Sequence, residues 1–221
     1  MPKYKLAIFD LDGTLADSFP WFLRVVNDVA REFDFKPIDA GEIDALRRKG
    51  SREILKSLDV PLWKLPMIAS RMRGLKRSHL QNIPLFAGVP AMLKALKEAG
   101  TLLALVSSDN EANARLQLGP DHALLFNHFD CGASLFGKAA KFSRVMKRAG
   151  VPPQQTIAIG DEARDCEAAR AAGIAFGAVT WGYADPDILR SLNPDEIFST
   201  VDDITITLVG KKNNPRATTF A

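Results

Sequence analysis

Hydrophobic positions along the chain fall into two kinds of run. Leu6-Ala7-Ile8-Phe9, Thr101 to Val106, Ile157-Ala158-Ile159 and Phe176 to Thr180 are short and almost continuously apolar. That is the pattern of strands buried on both faces. Between them Val89, Met92, Leu93 and Leu96 recur at helical spacing, as do Phe142, Val145, Met146 and Ala149. Gly100 and Gly150 follow these stretches as C-terminal stops, and an Ala-rich helix predicted over 162–172 stops at Gly173. Helix-Gly-strand units in series predict an α/β protein whose parallel sheet is covered by helices on both faces. In such sheets ligands bind beyond the carboxyl ends of the strands.

Residues 16–84 break this alternation. Phe22, Val25, Val26, Val29 and Phe33 form one amphipathic helical face, and short helices are expected around 42–48, 52–58 and 63–80. No strand signal occurs there. The pattern predicts an all-helical insertion after the first strand, entered near Ala16–Asp17 and left near Pro84–Gly88. The division expected is 1–15 and 85–210 as the α/β core, 16–84 as a helical cap and 211–221 as a flexible tail.

The bulk composition of the 221 residues, 47% hydrophobic and 25% charged, is that of a globular chain. No run is long enough to span a membrane and no signal peptide is read, so a cytoplasmic protein with no membrane partner is expected. The two cysteines, Cys131 and Cys166, suit a reducing compartment and are read as small packed residues. His79, His122 and His128 lack metal-ligand spacing. The net charge of +3 does not argue for nucleic acid, and no reading motif or aromatic platform accompanies it. The charge is uneven, however. Lys36 to Arg77 holds eleven basic and five acidic residues, a balance of +6 that leaves −3 elsewhere. Most of these side chains fit solvated helix faces; a positive lid over an anionic substrate is the functional alternative.

Candidate chemistry is concentrated where the first strand ends. Asp10 and Asp12 lie two residues apart in Phe9-Asp10-Leu11-Asp12-Gly13-Thr14-Leu15, so both side chains take one side of an extended chain. Gly13 and Thr14 turn the backbone and are expected to leave N–H groups free for an anion. Two carboxylates would repel a phosphate unless a divalent cation intervened, and oxygen donors suit Mg2+. Further candidates also follow strands. Ser107 closes Leu102–Val106, Lys138 stands at a helix start, and Asp161 and Asp165 occupy Gly160-Asp161-Glu162-Ala163-Arg164-Asp165. Ser108, Asp109 and Asn110 read as a helix N-cap region that could also support the site.

Asp10-Leu11-Asp12-Gly13-Thr14-Leu15, an apolar strand ending in Ser107, Lys138 at a helix start and Gly160-Asp161-x-x-x-Asp165, in that order, resemble the four motifs of the haloacid dehalogenase superfamily. The similarity is to its phosphoglycolate-phosphatase-like members and covers Asp10 to Asp165. It implies a Rossmann-like core with an α-helical cap inserted after the first strand, and a Mg2+-dependent phosphatase acting on a small phosphorylated metabolite. Asp10 is then the nucleophile that forms an aspartyl-phosphate, and Asp12 the general acid and base. Ser107 and Lys138 stabilise charge. Asp10, the main-chain carbonyl of Asp12, Asp161 and Asp165 hold the metal. Lys141, one turn from Lys138, is the alternative site lysine, since Ala139 stands where many such members have Pro. Thr14 and Ser108 are candidate phosphate contacts, and Arg48, Lys49 and Gly50, at a helix-to-turn junction, candidate cap contacts. An aspartate at position 12 disfavours carbon–halogen cleavage. A phosphomutase with the same core remains an alternative, as does, more remotely, a non-catalytic binder; the chain could act as a monomer or a homodimer.

Overall fold

The computed structural model describes residues 2–132 and 137–210. Six parallel strands form one sheet: β1 (Leu6–Phe9), β2 (Leu102–Val106), β3 (His128–Asp130), β4 (Thr156–Gly160), β5 (Ala175–Val179) and β6 (Glu196–Phe198), in the order β3-β2-β1-β4-β5-β6. Four α-helices, α1 (Phe19–Phe33), α2 (Ile43–Arg47), α3 (Ser51–Ser57) and α4 (Leu65–Ser78), follow β1 and make up the insertion. The core helices are α5 (Val89–Glu98), α6 (Glu111–Leu118), α7 (Pro120–Ala123), α8 (Gly137–Ala149), α9 (Ala163–Ala171), α10 (Pro186–Ser191) and α11 (Val201–Val209). No helix among the described residues is long and apolar enough to cross a membrane.

The continuous apolar strands have a direct cause in packing. Alternate side chains of one strand enter opposite layers. Ala7 and Phe9 join Leu103, Leu105, Ile157 and Ile159 against α5, α6, α7 and α11. Leu6 and Ile8 join Ala104, Val106, Ala158 and Phe176 against α8, α9 and α10. Every residue of β1 is buried, so neither face of the strand tolerates a polar side chain. Gly100, Gly150 and Gly173, expected as helix stops, all take positive φ.

The insertion has its own small core of Val26, Ile38, Leu46, Leu58 and Val60. Its two connections run side by side. Ala16 bridges Leu85 in antiparallel sense, the Asp17 N–H donates to the Pro84 carbonyl at 2.9 Å, and that of Phe86 to Leu15 at 3.0 Å.

The hydrophobic pattern did not announce β3, β6, α6, α7, α10 or α11. The two strands are three residues each, too short for a periodic signal. The expected tail, 211–221, lies outside the described residues, as does Phe136 of the segment before Lys138.

If 16–84 folds as a unit of its own, Leu46→Ala should loosen that unit alone, by about 2–5 kcal/mol. Hydrogen–deuterium exchange should then quicken between α1 and α4 and stay unchanged in β1, β2 and β4. Equal acceleration throughout would show that insertion and sheet unfold together.

Candidate active site

The strand order sets the site. β1 lies between β2 and β4, with Leu6 opposite both Leu102 and Thr156 and Phe9 opposite both Leu105 and Ile159. Their carboxyl ends therefore emerge together, carrying Asp10, Ser107 and Asp161. The Asp10 N–H extends the ladder to the Ile159 carbonyl at 2.9 Å, so the backbone holds this aspartate in line with its strand.

Asp10, Asp161 and Asp165 each turn a carboxylate oxygen into one cluster, all within 4.8 Å of one another and all buried. Lys138 Nζ, at the start of α8, lies 2.6 Å from Asp10 Oδ2 and 2.6 Å from Asp165 Oδ1. Two of the three carboxylates, Asp10 and Asp165, thus pair with the ammonium, and Asp161 does not. Burial, then the neighbouring charges of Glu162, Asp10 and Asp165, push the Asp161 carboxyl well above the usual carboxylate range. Burial also raises Asp165, with Lys138 opposing it. Burial works against the Lys138 charge, but Asp10 and Asp165 outweigh it and hold the ammonium charged. An all-oxygen donor set with uncompensated negative charge fits a hard divalent cation.

The loops around this cluster leave little room. Asp161 Oδ1 accepts from Thr14 Oγ1 at 2.7 Å, and Oδ2 from the Tyr183 N–H at 2.8 Å. Gly13 takes φ +76°, and a Cβ there would overlap Asp161 and Tyr183; one on Gly182 would overlap Asp161. Both positions therefore require glycine. Asp165 Oδ2 accepts from the Glu162 N–H at 3.2 Å, which fixes the acid at the first turn of α9.

Part of the first loop closes on itself: Gly13 donates to Ala16, and Thr14 and Leu15 donate to Leu11, whereas the N–H groups of Leu11 and Asp12 make no such bond among the described residues and are the ones open to an anion. The Thr14 hydroxyl likewise serves Asp161.

Lys138 is the lysine at the carboxylates. Lys141 instead donates to the Ser107 carbonyl at 2.7 Å and to that of Gly132, tying the end of β2 to the end of β3. Ser107 is buried and its Oγ accepts from the Asp109 N–H at 3.1 Å, leaving the hydroxyl proton free to donate. Ser108 is exposed. Asn110 caps α6 by accepting from the Asn113 N–H, as the N-cap reading expects.

The Asp12 carboxylate is outside the cluster. It accepts from Lys76 Nζ of α4 at 2.7 and 2.8 Å, and Lys76 also lies 3.0 Å from Asp109 Oδ2. Lys76 is only 3% exposed; burial opposes its charge, and Asp12 and Asp109 more than offset that and raise its pKa. The predicted cap contacts sit elsewhere along the seam between insertion and core. Arg48 Nε donates to Asp185 at 3.0 Å, Lys49 Nζ to Ser57 at 2.9 Å, and the Gly50 N–H to Glu53 at 3.3 Å. Lys49 and Gly50 also line a cavity of about 360 Å³ with Phe22, Leu46, Ile54 and Tyr183.

Lys76 was missed because a lysine in a basic helix has no distinguishing sequence context. Trp181 and Tyr183 were missed despite an available signal: they follow the fifth strand, at the end where ligands bind. Trp181 Nε1 donates to the Thr14 carbonyl at 3.2 Å, so this loop buttresses the first one.

Comparison with known proteins agrees with this arrangement. A family model described as haloacid dehalogenase-like hydrolase matches residues 7–179. A phosphoglycolate phosphatase from Synechococcus elongatus is 32% identical over 198 residues, 89% of this chain and 93% of that protein. One from Xanthomonas campestris is 33% identical over 189 residues, 81% of this chain and 84% of that protein. A haloacid dehalogenase-like family hydrolase of Streptococcus pneumoniae has the same fold, with TM-score 0.76 at 20% identity over 91% of this chain and 97% of its own.

Removing one of three crowded charges should stabilise the metal-free protein. Asp161→Asn is expected to raise its melting temperature, because burial and the neighbouring carboxylates work against the Asp161 charge. The same variant should lose the stabilisation that added Mg2+ gives the wild type. A metal-free variant that melts lower, or one that Mg2+ stabilises as fully as the wild type, would contradict this account of the cluster.

Proposed function

The chain belongs to the haloacid dehalogenase-like hydrolases and is a phosphatase, and from that premise we propose that it hydrolyses a small phosphate monoester, with Mg2+, through a phosphoryl-Asp10 intermediate. The observation that carries the reading is the meeting of Asp10, Asp161 and Asp165, with the Lys138 ammonium paired to Asp10 and Asp165. Mg2+ held by Asp10, Asp161 and the Asp12 carbonyl, with Asp165 in support, would offset the charge of the phosphate.

The chain's own residues then divide the work. Asp10 attacks phosphorus in line, and the bond from phosphorus to the leaving oxygen breaks. Asp12 gives that oxygen a proton, then takes one from the water that attacks phosphoryl-Asp10, so that phosphate leaves and Asp10 is restored. Lys138 and the Ser107 hydroxyl stabilise the charge that develops on the phosphoryl oxygens. Lys76 is the insertion's contribution. Its ammonium beside Asp12 stands on the leaving-group side, where it can meet an anionic leaving group. The insertion closes over the site and excludes bulk water. A small phosphorylated acid fits this reading, since the compared relatives are phosphoglycolate phosphatases and the insertion is basic.

A panel of small phosphate esters, assayed for phosphate release with Mg2+ or with chelator, tests the proposal. Turnover should need Mg2+ and should fall by about 10³-fold or more in Asp10→Asn. Transfer of the phosphoryl group to a second hydroxyl, with no phosphate released, would point to a mutase instead. Lys76→Ala should raise KM for an ester with an acidic leaving group by about tenfold or more, and much less for a neutral one. Equal losses on both would remove Lys76 from leaving-group recognition.

A further inference from the structure

The segment after β5 joins the insertion to the carboxylate cluster through a continuous set of bonds. On the core side, the Tyr183 N–H donates to Asp161 Oδ2 at 2.8 Å, and Gly182 packs against the same side chain so closely that no Cβ would fit. On the insertion side, Arg47, at the end of α2, grips the other edge of these two residues. Its Nε donates to the Tyr183 carbonyl at 2.9 Å and its Nη2 to the Gly182 carbonyl at 3.1 Å. The Arg47 carbonyl accepts from the Asp185 N–H at 2.9 Å. The guanidinium lies over the Phe19 ring, 5.4 Å from its centroid. Phe19 and Phe22 of α1 meet the Tyr183 ring edge-on at 4.9 and 5.7 Å, and the Tyr183 hydroxyl is 3.1 Å from Ser18 Oγ.

A peptide unit whose N–H serves a carboxylate and whose neighbouring carbonyls are clamped by a two-pronged guanidinium has little freedom to rotate. Arginine suits this task, since its planar fork meets two acceptors in fixed geometry and lysine cannot. The insertion has its own small core and is tethered by two adjacent connections, the build of a unit that can move against the sheet, although Trp21 of α1 also joins the main core. Opening it would pull Arg47 and the two phenylalanines away from the loop that aims Asp161.

We propose that Arg47 is a positioning residue which, through the backbone of Gly182 and Tyr183, makes cation binding at the aspartates depend on closure of the insertion. The inference rests on the reading of Asp161 as a metal ligand. Linkage is reciprocal: if closure tightens the cation site, cation binding favours closure to the same degree. Partners that orient a metal ligand are typically worth 10- to 100-fold in metal affinity.

Two measurements without substrate test this. Calorimetric titration with Mg2+ should give Arg47→Ala a dissociation constant about tenfold or more weaker than wild type, with Arg47→Lys between them and Asp161→Asn showing no binding. Hydrogen–deuterium exchange of the wild type should show Mg2+ slowing exchange both in 182–185 and in α2, and the α2 effect should vanish in Arg47→Ala. The exchange experiment on wild type stands even if Arg47→Ala does not fold. An Arg47→Ala affinity within about twofold of wild type, or Mg2+ protection of 182–185 without α2, would overturn the proposal while leaving the phosphatase reading intact. A wild type that takes up no Mg2+ would overturn both.

Discussion

Negative charge buried without full compensation is the constraint around which this molecule is built. Asp10, Asp161 and Asp165 share a pocket with one ammonium, that of Lys138. Isolated carboxylates taken out of water would cost far more than a domain's net stability, so such a cluster persists only with donors and counter-charge close by. The donors are found in the loops themselves: the Thr14 hydroxyl and the main-chain N–H groups of Tyr183 and Glu162. Even with these bonds made, one carboxylate oxygen of each aspartate lies within 4.8 Å of the others. Such a set could hold a metal cation, since the fold has already met the cost of bringing the charges together.

The sheet makes that concentration affordable in structural terms. Catalytic carboxylates placed on flexible loops would relax apart. Here Asp10 directly follows a strand buried on both faces and hydrogen-bonded on both sides, and Asp161 directly follows its neighbour. This part of the design was legible in the sequence. Continuous apolar runs, glycine stops and acids just after strands are local properties, and the parallel sheet, both helical layers and the inserted helices follow from them; the meeting of Asp10, Asp161, Asp165 and Lys138 was what the family resemblance implied. The choice between Lys138 and Lys141 was only half legible. Both stand on one helix, and the direction each takes depends on where β2 and β3 end, which no spacing rule encodes.

What the sequence withheld is everything that crosses between insertion and core. Lys76 is one basic residue among eleven between Lys36 and Arg77, and only the packing of α4 brings it to Asp12 and Asp109. Arg47 and Arg48 are adjacent, yet the first clamps backbone carbonyls while the second makes an exposed pair with Asp185. Exposed pairs of that kind contribute little, so the neighbour that looks more strongly paired is the less consequential. Contacts of this class depend on the relative placement of two folded units, and neither periodicity nor motif carries that information.

The two insertion cations, Lys76 and Arg47, reach the site from different helices and act on different atoms. Lys76 meets the Asp12 side chain on one side, and Arg47 meets the loop behind Asp161 on the other. Asp12, the proposed acid, and Asp161, the proposed cation ligand, are therefore both tied to the position of the insertion. Asp10 and Asp165 are paired instead with a core lysine. In the proposed mechanism a closed insertion would complete a site whose nucleophile is already in place. Water admitted to an open site would meet that nucleophile and its lysine, but an acid and a metal ligand deprived of their supports. Coupling both to closure would confine productive chemistry to the state that excludes bulk solvent.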